Sequence, residues 1–162
     1  MKIIYSTVLA ATSAVFSASA FAQALPTQKI ITIDVAQTIA QEAMAICRAN
    51  GYKVSVTVVD SANILKAFLR DDGAPMATVE IGRMKVNSVM AFGTASGPPP
   101  NLPAGTPAPP PILPGTTNFM GGVPIKVGDQ VIGAVSVSGA PSGDKDATCA
   151  NSALAKVADK LK

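Results

Sequence analysis

The chain has no histidine, no tryptophan and only two cysteines. Without imidazole it lacks the commonest general base near neutral pH and the commonest nitrogen ligand for metals. Aromatic residues make up 4% of the sequence, too few for a stacking platform that would grip carbohydrate or single-stranded nucleic acid. Charged residues make up 14%, the net charge is only +3, and the two signs are interspersed. No basic stripe exists to track a phosphate backbone, so nucleic acid is excluded as a partner. No serine sits in a nucleophile-elbow pattern. Gly139 and Gly143 have glycine-loop spacing but lack the Lys-Ser/Thr ending of a phosphate loop, so the segment reads as a strand-to-helix turn. No dedicated catalytic constellation is present.

Long apolar runs are also scarce. One spans Ile3 to Phe16, too short to cross a bilayer. Lys2 precedes it and Ala20-Phe21-Ala22 follows, which is the pattern of a signal peptide cleaved after Ala22 rather than of a membrane anchor. The expected location is therefore periplasmic or secreted. Residues 23–162 are enough for a single domain with one core. In an exported chain, Cys47 and Cys149 favour a disulfide, the alternative being two buried free thiols.

Thr32 and Asp34 open a first helix, and Val35, Ile39, Ala43, Ile46 and Cys47 recur on one face of it. Asn50-Gly51 closes it. Val54 to Asp60 and Ile64 to Leu69 read as two strands joined by a turn at Asp60–Asn63. A second helix follows from Met76 to Phe92, with Val79, Ile81, Met84, Val89 and Phe92 as its apolar candidates. Nine of the thirteen prolines then lie between Pro98 and Pro114. That segment reads as an extended polyproline-type surface loop, or as a stiff arm that packs on a neighbouring subunit or covers a pocket. Thr116 to Met120 is expected to rejoin the sheet. Val123–Val127 and Val131–Val137 form a hairpin around Gly128-Asp129. The last helix runs from Asp144 to Leu161, with acidic residues suited to its start. The prediction is an α+β domain, a five-stranded antiparallel sheet with helices packed on it.

Two blocks of this sequence carry a family resemblance. One is Gly121-Gly122-Val123-Pro124-Ile125 followed by Val131 to Ala150. The other is Val58-Val59-Asp60, Ile64 to Phe68, and Arg70-Asp71-Asp72-Gly73-Ala74-Pro75. They resemble the GlcG/HbpS family, whose members are described as haem-binding or haem-degrading. The resemblance spans Ile31 to Leu161 and departs only around Ala95 to Thr116. It implies a profilin-like fold with the terminal helices together on one face, which would bring Cys47 near Cys149. It also implies haem or another tetrapyrrole as ligand, in a homo-oligomer.

On that reading, Arg70 or Lys85 would sit at a pocket edge and pair with a propionate. The alternative for both is an exposed charge on a buried stem. Met76, Met84, Met90, Met120, Tyr52, Thr94 and Thr117 are the available axial ligands, although methionines more often pack in cores. Met120 stands out because Gly121 and Gly122 would let a planar ligand approach the backbone; a bulge or strand bend is the other use of such glycines. Asp71-Asp72 is the one adjacent carboxylate pair, and turn residues in solvent are its ordinary role. Haem degradation would follow only if bound iron reacted with peroxide. Two further functions fit the sequence: a non-catalytic module binding a small organic acid or other metabolite, and an oligomeric interaction protein using the Pro98–Pro114 arm.

Overall fold

Thr32 starts the first helix by accepting the Val35 N–H on its hydroxyl, and the helix α1 runs Ile33–Ala49 before Gly51 turns the chain in a left-handed conformation. The structure, a computed structural model, describes residues 27–98, 103, 105 and 113–162. The expected leader and most of the Pro98–Pro114 loop lie outside the described residues. After α1 come β1 (Ser55–Asp60), β2 (Leu65–Arg70), α2 (Ala77–Phe92), β3 (Gly122–Val127), β4 (Gln130–Ser138) and α3 (Gly143–Lys156). A short 3-10 turn, Ala158–Lys160, follows α3, so the last α-helix stops before the expected Leu161.

The sheet is antiparallel in the order β2-β1-β4-β3, with Val58 opposite Val135 and Gly128-Asp129 closing the β3–β4 hairpin. Among the described residues it has four strands, not the five expected. Thr116–Met120 does not pair as a strand because two serines take up its backbone groups instead. Ser88 Oγ lies 2.8 Å from both the N–H and the carbonyl oxygen of Thr117. Ser96 Oγ donates to Phe119 O and accepts the Gly122 N–H, each at 2.8 Å. Buried backbone groups need a partner, and side-chain partners serve as well as a ladder.

Strand alternation sorts the two faces. Val56, Val58, Val135 and Val137 pack with α1 and α3 in the main core, which also holds Ile39, Ala43 and Ala153. Val59 and Ala134 point the other way, onto Val86 and Val89 of α2. The expected placement of α1 and α3 side by side is present, and a Cys47–Cys149 disulfide joins them with the Cα atoms 5.7 Å apart.

Helix α2 differs from its expected face. Thr78, Gly82, Lys85, Val86, Ser88 and Val89 are its buried residues, whereas Phe92 is exposed. The reason is a polar seam. Ser55 and Thr78 share a hydrogen bond of 2.7 Å, and Ser136 donates to the Gly82 carbonyl at 2.7 Å. Small residues let the helix lie close to the sheet, and these hydroxyls find partners there, although Thr57 Oγ1, against Gly82, has none among the described residues.

Candidate functional site

Lys85 sits on the buried stripe of α2 and reaches past the end of the sheet to α3. Its Nζ donates to Asp146 Oδ2 at 2.7 Å and to the Val137 carbonyl at 2.8 Å. Lys85 is 2% exposed and Asp146 4%. The pair therefore ties together helices that cover opposite faces of the sheet.

Gly121 makes this crossing possible. A Cβ there would stand 2.7 Å from Lys85 Nζ, from Asp146 Cβ and from the Val137 carbonyl, on a backbone with φ +124°. At Gly122 a Cβ would meet the Lys85 carbonyl at 2.8 Å and Ser96 Oγ at 2.9 Å. The space beside both glycines is filled by α2, α3 and the segment at Ser96. These contacts account for the two glycines by close packing of the chain on itself.

Asp146 is in the first turn of α3, yet its carboxylate turns back into the protein. Its Oδ1 accepts the Ala140 N–H at 2.9 Å, which fastens the turn between β4 and α3. Burial pushes the Asp146 carboxyl up, and the attraction and hydrogen bond of Lys85 oppose it. Burial pushes the Lys85 amine down, again against the attraction of its partner. Both displacements favour moving a proton from nitrogen to oxygen. Asp144, at the helix start, is held below the usual carboxylate range by the Ser142 hydroxyl and by its own backbone N–H.

Lys85 and Asp146 line a half-open cavity of about 540 Å³. Ile81, Ala77 and Pro75 of the α2 side, Phe119 and Met120, Ser138 to Ala140, and Asp144 also line it. Phe119 is 60% exposed and Met120 40%, so they put apolar surface at the mouth, while Lys85 and Asp146 are buried and Asp144 is exposed. A cavity of this size matches the usual scale of a small-molecule site.

The structure brings together Lys85, Met120 and Gly121 at this cavity, and Gly122 just behind it. Lys85 is a correction to both sequence readings: it is neither an edge cation nor an exposed charge, because Asp146 and the Val137 carbonyl hold its amine inside. Arg70 stands elsewhere. It donates to the Ala74 carbonyl and lines a separate groove with Leu69, Arg48 and Met44. Asp71 is not a free turn residue but is buried, accepting from Arg48 at 2.9 Å, while Asp72 is exposed. Of the other possible iron ligands, Met76 and Thr94 are exposed, Thr117 is engaged by Ser88, and Tyr52 lies under the Lys145 ammonium at 5.7 Å. Asp146 is the residue that sequence reasoning missed, since its place in a first helical turn already explained an acid.

Among the described residues, no group of three or more His, Cys, Asp or Glu side chains could hold a metal ion. None of the described helices is long and apolar enough to cross a membrane.

A family model described as haem degrading protein HbpS-like matches residues 31–155. The crystal structure of HbpS is 26% identical, with a TM-score of 0.69 over 82% of this chain and 94% of that one. Klebsiella pneumoniae protein ORFY shares the fold at 23% identity, with a TM-score of 0.65 over 83% of this chain and 96% of that one. A PduOC:haem complex does so at 18% identity, with a TM-score of 0.65 over 78% and 94%. No curated protein matches the chain.

Proposed function

The chain belongs to the HbpS-like family, and we propose that it is an exported haem- or tetrapyrrole-binding protein whose ligand seats at the Phe119–Met120 mouth of the cavity. The observation that carries this reading is an apolar mouth with two large exposed side chains over a cavity of about 540 Å³. Exposed apolar surface around a concavity is a mark of ligand or partner binding. Family membership supplies the ligand class, and one structure of the same fold holds haem.

The lining residues fit a macrocycle face better than they fit an iron-ligating pocket. Met120 offers a thioether, and no imidazole exists anywhere in the chain. Lys85 is engaged by Asp146, so it is not free for a propionate without breaking that pair. Asp144 and Asp146 make the cavity unfavourable for carboxylates, which would leave propionates directed to solvent. Bound haem would supply an iron centre open to peroxide. The chain's own residues would supply apolar contact, through Phe119, Met120 and Ile81, and one weak donor.

Export through the segment ending at Ala22 is part of this reading, supported by its basic, apolar and small-residue order. So is self-association, supported by Ile64, Leu65 and Phe68, which are exposed at and beside edge strand β2.

Haemin titration of the purified protein tests the proposal. A saturable, shifted Soret band at micromolar haemin is expected. Phe119→Ala and Met120→Ala should each weaken it, while Arg70→Ala, on a different groove, should leave it unchanged. A broad band that never saturates would remove haem as the ligand.

A further inference from the structure

The Lys85–Asp146 pair has a chemistry of its own that haem binding does not use. An amine and a carboxyl group lie 2.7 Å apart on the wall of a cavity, with two of the amine's three protons given to Asp146 and to the Val137 carbonyl. Burial works against both charges and their mutual attraction works for them, so a proton can pass from the amine to the carboxylate across their hydrogen bond. A neutral amine is a nucleophile, and a carboxyl group beside it can relay protons. The rest of the lining mixes apolar residues such as Ile81 and Met120 with uncharged polar ones and one further carboxylate, Asp144.

We infer that Lys85 is a reactive amine that takes a small uncharged aldehyde or ketone into this cavity and holds it as an imine.

The step balances without any other reactant. Asp146 takes a proton from the Lys85 ammonium. The amine nitrogen adds to the carbonyl carbon, and the carbonyl oxygen takes that proton. Asp146 then removes a second proton from nitrogen and passes it to the hydroxyl, which leaves as water as the nitrogen lone pair closes the C=N bond. Two of the ammonium's protons depart in the water, and nothing is oxidised or reduced. The iminium retains the positive charge facing Asp146, so the ion pair survives the reaction.

Charge sets the class of carbonyl compound. Asp144 and Asp146 both line the cavity against the single cation of Lys85. A carbonyl compound with its own carboxylate would bring a third negative charge to one positive one. An uncharged compound adds none, and its alkyl part would meet Ile81 and Met120. This selectivity runs against the small organic acid expected from the sequence as an alternative ligand.

The test is reductive trapping. The full chain is incubated at neutral pH with propionaldehyde and sodium cyanoborohydride, and adducts are located by intact mass and peptide mapping. Propylation of Lys85 ahead of exposed lysines such as Lys53 and Lys145 is expected, with loss of that adduct in Lys85→Arg. Because Lys85 variants disturb a buried pair, Ile81→Trp provides the second arm. It fills the cavity while leaving the pair intact, and should abolish Lys85 labelling with the circular dichroism spectrum unchanged. Labelling confined to exposed lysines, or Lys85 labelling undiminished in Ile81→Trp, would overturn the inference. Equal trapping of glyoxylate at Lys85 would overturn its charge selectivity. Haemin titration is a separate readout, so either idea can fail alone.

Discussion

Replacing Lys85 by methionine keeps most of the stem and removes the charge, and it should cost about 3–5 kcal/mol, the usual penalty for orphaning one member of a buried ion pair. The structure says where the cost arises. Asp146 would keep its Ala140 N–H but lose the Nζ donor at 2.7 Å, and the Val137 carbonyl would lose its donor at 2.8 Å. Each abandoned acceptor contributes about 1–3 kcal/mol, more when charged. Asp146→Asn is a different lesion, because it can still accept from Ala140 while leaving the Lys85 amine to shed its proton. The double variant Lys85→Met with Asp146→Asn has no buried charge at all, and should be less damaged than the sum of the two singles by about 2 kcal/mol or more, within the range of coupling between contacting residues. Urea denaturation at neutral pH, followed by far-ultraviolet circular dichroism, measures all four corners of the cycle. A Lys85→Met cost below about 1 kcal/mol, or a double variant that is simply additive, would show that the pair is not desolvated as its geometry requires.

Two further outcomes follow from other parts of the fold. Replacing both Cys47 and Cys149 by serine removes a cross-link between residues 102 apart; the chain-entropy model gives a loss of about 4–5 kcal/mol, and a thermal melt compared with that of the oxidised protein measures it. Asp71 is 2% exposed, and the hydrogen bond from Arg48 holds its carboxyl below the ordinary value of 3.8. The unfolded chain therefore takes up this proton first as pH falls, so the Asp71 contribution is whole above 3.8 and disappears as pH drops through the depressed value. Asp71→Asn should melt below the wild type at neutral pH and converge with it in acid; a constant gap between the two melting curves across that range would remove Asp71 from the acid response.

Elements whose signals are local were legible in the sequence. The cap at Thr32, the stop at Gly51 and the Gly128-Asp129 turn each act within a few residues, and each stands where periodicity and turn chemistry place it. The disulfide was legible from a single cysteine pair together with the family resemblance that sets the two terminal helices side by side. The fifth strand was not. Whether Thr116–Met120 pairs with a strand or with side chains depends on Ser88 and Ser96, which arrive from more than twenty residues earlier in the chain.

The pair at Lys85 and Asp146 was hidden for a more instructive reason. The buried stripe of α2 is Thr78, Gly82, Lys85, Val86 and Val89, spaced as a helical face, but only its last two members are conventionally apolar. Large apolar residues point instead to Val79, Ile81, Met84, Val89 and Phe92, of which only Val89 is on the buried face and the others are half-buried or exposed. Small residues define a buried face when the helix must lie close to a sheet, and Gly82 does so here, where a Cβ would stand 3.1 Å from Thr57 Oγ1. Once Thr78 and Gly82 are placed on that face, Lys85 falls on it too, and a buried cation demands an acid from another element. Asp144 and Asp146 both open α3 beside the end of β4. A carboxylate at a helix start normally faces its own N–H groups, as Asp144 does, so the cation's partner is the acid one half-turn further on.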